Sequence, residues 1–134
     1  MKSRLTAREP RPLIVAGVMS GTSADGVDVA LVKISPARAP GDAPRLKVLG
    51  HESFPYSPEL RDAVLAAMDS GTPKQTTVAE IARLGWRLGE VYADAVEQTA
   101  ARLGRQPALI GVHGQTIYHQ PTPAPYLGLS LIHI

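Results

Sequence analysis

The sequence predicts an α/β fold: a three-stranded antiparallel meander, two helices, and then a strand parallel to the first. Three observations carry this. Apolar patterns of the strand type fill residues 12–35 and 45–56, separated by turn residues. Helical stripes bounded by capping residues occupy residues 57–104. An apolar run returns at Ala108, and a helix before a strand supplies the crossover that parallel pairing needs.

Each element has its own reason. "PLIVAGVMS" (Pro12 to Ser20) has β-branched or small apolar residues at nearly every position and reads as a buried strand. "VDVALVKIS" (Val27 to Ser35) alternates, with Val27, Val29 and Leu31 on one face, and pairs back antiparallel. "PARAPGDAP" (Pro36 to Pro44) has no periodicity and is a surface loop. "RLKVLGHESFPY" (Arg45 to Tyr56) completes the meander. Ser57 then Pro58 is an N-cap followed by proline at the first helical position. Leu60, Val64 and Met68 share one face, and Gly71 is the expected stop. Thr77 and Glu80 form a capping box. Ile81, Leu84, Leu88, Val91, Ala95 and Leu103 make a long stripe that ends at Gly104. Gly85 and Gly89, one turn apart, would admit a close neighbour; Trp86 is assigned to packing. "ALIGVHGQTIYHQP" (Ala108 to Pro121) is the returning strand, apolar up to His113-Gly114 and polar after it.

Composition sets the bounds. A chain of 134 residues holds one domain with a modest core. At 44% hydrophobic and 19% charged it is of the soluble, globular type. The net charge of +2 comes from Lys2, Arg4, Arg8 and Arg11 near the start, so no nucleic-acid footprint remains in the rest. There are no cysteines, which excludes disulfides and thiolate metal sites and suits a cytoplasmic protein. The apolar run Leu13 to Met19 is too short to span a bilayer, and no cleavage pattern follows it. Residues 1–12 are expected to be a disordered leader.

The loop between the first two strands asks for an explanation. A minimal hairpin needs two turn residues, and Asp25-Gly26 would suffice. Ser20, Gly21, Thr22 and Ser23 are extra. Two readings are open from the residues alone. One is a longer turn closed by local bonds of Ser23 and Asp25. The other is a phosphate cradle, with glycines admitting backbone N–H groups, Ser20, Thr22 and Ser23 adding hydroxyls, and Asp25 and Asp28 placing a magnesium ion. It is neither a Walker loop nor a dinucleotide fingerprint, because the glycine and lysine spacings differ.

"GVMSGTSADGVDVALV" (Gly17 to Val32) closely resembles the first phosphate loop of the anhydro-N-acetylmuramic acid kinases. The family pattern Gly-x-Met-Ser-Gly-Thr-Ser-x-Asp-Gly-x-Asp is matched at every fixed position. "GVHGQTIYHQP" (Gly111 to Pro121) resembles the family's Gly-x-His-Gly-Gln-Thr-x-x-His-x-Pro segment. The resemblance implies the N-terminal lobe of an actin/hexokinase/Hsp70-type, ribonuclease H-like ATPase fold over residues 13–126. It implies that Gly21, Thr22, Ser23, Ala24, Asp25, Gly26, Val27 and Asp28 hold ATP phosphates, with Asp25 and Asp28 toward Mg2+. It also implies that Gln115 and Thr116 contact the sugar; from the residues alone the favoured reading is simply a polar strand end.

The implied reaction is ATP-dependent phosphorylation of 1,6-anhydro-N-acetylmuramic acid with hydrolytic opening of the ring, in bacterial cell-wall recycling. An aspartate from a later segment would activate the water, so residues 1–134 alone are expected to be inactive. A homodimer of the full-length protein is expected. The alternatives are another kinase or ATPase of the same fold, and a non-catalytic sugar- or nucleotide-binding domain. His113 and His119 lack a third ligand and make a weak metal pair. His113 is assigned a structural hydrogen bond, and His51 has no role.

Residues 127–134 are expected to be non-native. "LSLIHI" (Leu129 to Ile134) is what CTG TCT CTT ATA CAC ATC encodes, the transposase end used in sequencing libraries. A reading frame that ran into adapter DNA explains it; a native apolar tail is the alternative.

Overall fold

A computed structural model of the chain describes residues 11–68, 76–120 and 127–131. Its elements are β1 (Leu13–Ser20), β2 (Gly26–Ser35), β3 (Arg45–Pro55), α1 (Pro58–Met68), α2 (Val78–Leu103), β4 (Leu109–Gln120) and β5 (Leu127–Leu131). They form one sheet in the order β3-β2-β1-β4-β5. β1 and β2 pair antiparallel from Leu13↔Ile34 to Met19↔Asp28, and β2 pairs with β3 from Ser35↔Arg45 to Gly26↔Pro55. β4 lies parallel to β1 on its other side. The meander and the parallel strand therefore stand as expected. β5 adds an edge strand antiparallel to β4, within the segment expected to be a non-native tail. The leader's residues 1–10 and the expected stop at Gly71 lie outside the described residues.

Both helices cover the same face of the sheet. Ala16, Val18, Val27, Val29 and Leu31 meet Leu60 and Val64 of α1 and Leu84, Leu88 and Val96 of α2. Leu31 and Leu88 are fully enclosed, and burial of each is worth about 2 kcal/mol. β1 consequently alternates: Ala16, Val18 and Ser20 are buried, whereas Gly17 and Met19 are exposed. This corrects the reading of β1 as a strand buried on both faces. A continuous apolar run does not say how many faces receive a helix, and here only one does among the described residues.

α2 is held at both ends by local chemistry. The Thr77 hydroxyl accepts from the Glu80 N–H at 3.2 Å, and the Glu80 carboxylate accepts from the Thr77 N–H at 2.7 Å. Gly104 ends the helix in the left-handed region, at φ 58°. Ser57 likewise caps α1 by accepting from the Leu60 N–H at 3.2 Å. Near its end α2 lies close over β3: a Cβ on Gly50 would stand 2.6 Å from the Leu103 methyls. Arg102 pairs with Glu52 at 2.6 Å and lies over the Phe54 ring.

Two helix expectations are corrected. A Cβ on Gly85 would meet nothing within 4 Å, so this glycine serves no close approach. Trp86 is 59% exposed, and its indole N–H donates to Glu90 one turn on. It sits off the stripe, on the solvent side of α2. No helix among the described residues is long and apolar enough to cross a membrane.

Candidate functional site

The register brings four chain segments to one edge of the sheet. β1 ends there at Ser20, β2 begins at Gly26, β3 ends at Pro55, and β4 pairs Gln115 with Ser20. The last pairing depends on a register shift between Val18 and Ser20. Gly114, at φ 80°, supplies the left-handed backbone beside it, a conformation in which a side chain is strained. The Gly/Ser loop and the polar half of the second motif thus meet, although 94 residues separate Gly21 from Gln115.

The loop is a tight structure. The Ala24 N–H donates to the Gly21 carbonyl at 3.3 Å, and the Tyr56 N–H donates to the Asp25 carbonyl at 2.9 Å. Ala24 adopts φ 51° and is fully buried, so its methyl is packed into the core while its backbone turns the chain. Val27 is also buried. These two residues can offer a ligand only their backbone. Gly26 is a glycine for packing: a Cβ there would stand 2.3 Å from the Phe54 carbonyl oxygen. At Gly21, by contrast, a Cβ would meet only Ser23 Oγ, at 3.7 Å. Thr22, Ser23, Asp25 and Asp28 are exposed.

Asp25 and Asp28 line one open cavity of about 310 Å³, together with Gly26, Val27, Ser53, Phe54 and Pro55. Ser23 Oγ donates to Asp25 Oδ1 at 2.7 Å, and Ser53 Oγ donates to Asp28 Oδ1 at 2.5 Å. The Ser23 hydroxyl, aided by the residue's own N–H and by Arg61, holds the Asp25 carboxyl below the ordinary aspartate value. His51, which had no expected role, places Nε2 3.5 Å from Asp28 Oδ1. No group of three or more His, Cys, Asp or Glu side chains suited to a metal occurs among the described residues. Two exposed oxygen donors on one cavity do fit a magnesium ion that keeps waters and takes its other ligands from phosphates.

Beneath the loop lies a buried polar cluster. Ser20 is 1% exposed and Gln115 0%. Ser20 Oγ donates to Gln115 Oε1 at 2.6 Å and lies 3.1 Å from the Gly26 carbonyl. The Tyr56 hydroxyl hydrogen-bonds Ser20 and lies 3.3 Å from Gln115 Oε1. Gln115 Nε2 donates to the carbonyls of Gly21 at 2.9 Å and Thr116 at 3.1 Å. Burial pushes the Tyr56 phenol well above the ordinary tyrosine value, and the neighbouring Tyr92 of α2 adds to this. Ser20 is therefore no loop hydroxyl facing a ligand; it points into the protein. Thr116 is half-buried. His113 is exposed at the turn of β4, with Nδ1 3.1 Å from the Gly114 carbonyl, a local bond of the expected kind. The His119 side chain lies outside the described residues. Sequence reasoning assigned nothing to Tyr56 or Tyr92. Only burial gives these hydroxyls a need for partners, which Tyr56 meets, whereas the buried Tyr92 hydroxyl has no hydrogen-bond partner among the described residues.

A loop of this kind between β1 and β2, next to a parallel β4, defines the class: the N-terminal lobe of an actin-like ATPase. The family model for anhydro-N-acetylmuramic acid kinase matches residues 13–131, and the chain belongs to that family. The chain is 40% identical over 121 residues to an anhydro-N-acetylmuramic acid kinase of Caldanaerobacter subterraneus subsp. tengcongensis, which covers 88% of this chain and 28% of the relative. It is 41% identical over 120 residues to one from Salinibacter ruber, covering 85% and 28%. A third, from Vibrio vulnificus, is 39% identical over 108 residues, covering 78% and 26%. The chain thus spans a little over a quarter of the length of these curated relatives.

Proposed function

We propose that the full-length protein phosphorylates 1,6-anhydro-N-acetylmuramic acid with ATP and opens its anhydro ring by hydrolysis. Water adds at C1, the C1–O6 bond breaks, O6 takes the γ-phosphoryl group, and ADP leaves. The observation that carries this reading is the meeting of the two motifs at one sheet edge, where Ser20 pairs with Gln115. Ligands of open α/β sheets collect at such an edge.

In this proposal the loop from Gly21 to Asp28 receives the ATP phosphates. Gly21 and the exposed Thr22 and Ser23 present backbone N–H groups and the Thr22 hydroxyl, with only Ser23 Oγ near the face of Gly21. Asp25 stays ionised well into acid, since the Ser23 bond favours its charged form. Asp25 and Asp28 would hold Mg2+, which neutralises phosphate charge when bound. The work of these residues is positioning and charge stabilisation. On β4, Thr116 is the half-buried residue of the sugar pair and carries the sugar contact here, with Gln115 behind it inside the protein. A cytoplasmic location, a homodimer of the full-length protein and an adapter origin for residues 129–134 belong to the same proposal.

Incubation of the full-length protein with ATP and the anhydro-sugar tests the reading. Mass spectrometry should show a sugar heavier by one water and one phosphoryl group. ATP turnover independent of the sugar would favour a generic ATPase, and sugar binding without turnover a binding domain. Sequencing the locus from intact DNA tests the tail, and a native frame ending in Leu-Ser-Leu-Ile-His-Ile overturns that part.

A further inference from the structure

We propose that Gln115 is a positioning residue for the phosphate loop and makes no contact with the sugar. The proposal rests on the reading of Gly21 to Asp28 as the ATP-phosphate site. A glutamine amide has two donor hydrogens and one carbonyl oxygen with two lone pairs. At Gln115 both donors and the carbonyl oxygen are engaged within the protein. Nε2 donates to the carbonyls of Gly21 and Thr116, and Oε1 accepts from Ser20, with the Tyr56 hydroxyl 3.3 Å away. The side chain is 0% exposed, so no face is left for a ligand.

The orientation of the amide is forced. Turning it over would set Oε1 against two carbonyl oxygens, which cannot donate, and would strip the Gly21 carbonyl of its 2.9 Å partner. The bonds also point one way along the cluster. The Ser20 hydroxyl at the end of β1, itself bonded to Tyr56, donates to Oε1, and Nε2 passes the constraint to Gly21, the first loop residue. Each member polarises the next, and the low local dielectric makes a missing partner costly. The Gly21 carbonyl also accepts the Ala24 N–H that closes the loop's turn. Gln115 therefore sets the peptide plane on which the loop's N–H groups are aimed. Tyr56 acts twice, through its hydroxyl on this cluster and its N–H on the Asp25 carbonyl.

The test is steady-state kinetics of the full-length protein with Gln115→Glu, which keeps the shape but removes the donor to Gly21. Tyr56→Phe is the milder second variant, and it decides alone if Gln115→Glu does not fold. Both are assayed where circular dichroism shows them folded. The KM for ATP should rise about tenfold in Gln115→Glu and less in Tyr56→Phe, the scale of a lost hydrogen bond. The KM for the anhydro-sugar should stay within about twofold. A raised sugar KM with an unchanged ATP KM overturns the proposal. So does a lowered melting temperature with both KM values unchanged. ATP binding by calorimetry separates this proposal from the functional one. If the wild type turns over no anhydro-sugar but Gln115→Glu weakens ATP binding, the sugar reading fails and the positioning role stands. Equal ATP binding by both proteins refutes the positioning role, whatever the sugar.

Discussion

The side-chain amide of Gln115 on β4 donates to the carbonyl of Gly21, the first loop residue after β1, at 2.9 Å. This bond joins the two motifs by which the chain resembles its family. It also explains why a polar, uncharged side chain is tolerated in full burial: every hydrogen-bonding group of Gln115 has a partner. The loop it touches is equally constrained by the neighbouring strand.

Gly26→Ala should destabilise the chain by about 2 kcal/mol, because its Cβ collides with the backbone of Phe54 and Pro55, which has no side-chain rotamer to yield. Gly85→Ala is the control: its Cβ meets open space on a helix, and it should stabilise by up to about 1 kcal/mol. Denaturant midpoints measured on both variants check the pair.

Alkaline pH should weaken the fold through Tyr56. Its folded pKa is raised above the ordinary value of 10.0, so its contribution is fully present below pH 10. Above that pH the unfolded chain releases a proton that the folded chain keeps, and stability falls by up to about 1.4 kcal/mol per pH unit. Tyr56→Phe should flatten the decline between pH 10 and 11. An unchanged slope would place the sensitivity elsewhere.

Ser23→Ala should raise the Asp25 pKa toward the ordinary aspartate value, since the Ser23 hydroxyl is the largest cause of its depression. A depressed carboxyl favours the fold above its unfolded pKa, and that contribution fades as acid protonates it. Carboxyl carbon chemical shifts followed against pH report the Asp25 midpoint directly.

Asp28→Asn in the full-length protein should lower kcat/KM for ATP by roughly thirtyfold, the effect of about 2 kcal/mol of lost charge stabilisation at the phosphates. The residue is exposed, so the melting temperature should hardly move. Unchanged kinetics across a magnesium titration would remove Asp28 from the metal site.

Thr77→Ala should cost about 1 kcal/mol through loss of the N-cap bond to Glu80. Thermal unfolding measures it, and Ser57→Ala at the start of α1 should behave in the same direction.

Much of this was legible in the chain. The caps of α1 and α2, the αL stop at Gly104 and the alternation of β2 are short-range consequences of residue type, needing no partner beyond a few positions. The order β3-β2-β1-β4 followed from short connections and a helical crossover, whereas the edge strand β5 had no such signal. The loop motif was visible as a surplus of small residues over what a hairpin requires. Which of its residues face outward was not. Ala24 and Val27 turn inward, Gly26 answers to Phe54, and Ser20 points down to Gln115. These are decisions of tertiary contact, made by atoms far away in sequence.

By itself, the sequence determined β1 to β4, the two helices, the caps of α1 and α2 and the family, because periodicity, caps and a fixed motif spacing are local properties. Tertiary structure alone decided that β1 is covered on one face, that Trp86 sits in solvent, and that Gln115 lies sealed beneath the loop. Burial depends on which surfaces meet. Once water is excluded, a buried polar group is costly without a partner inside the protein, and that cost joins Ser20, Tyr56 and Gln115.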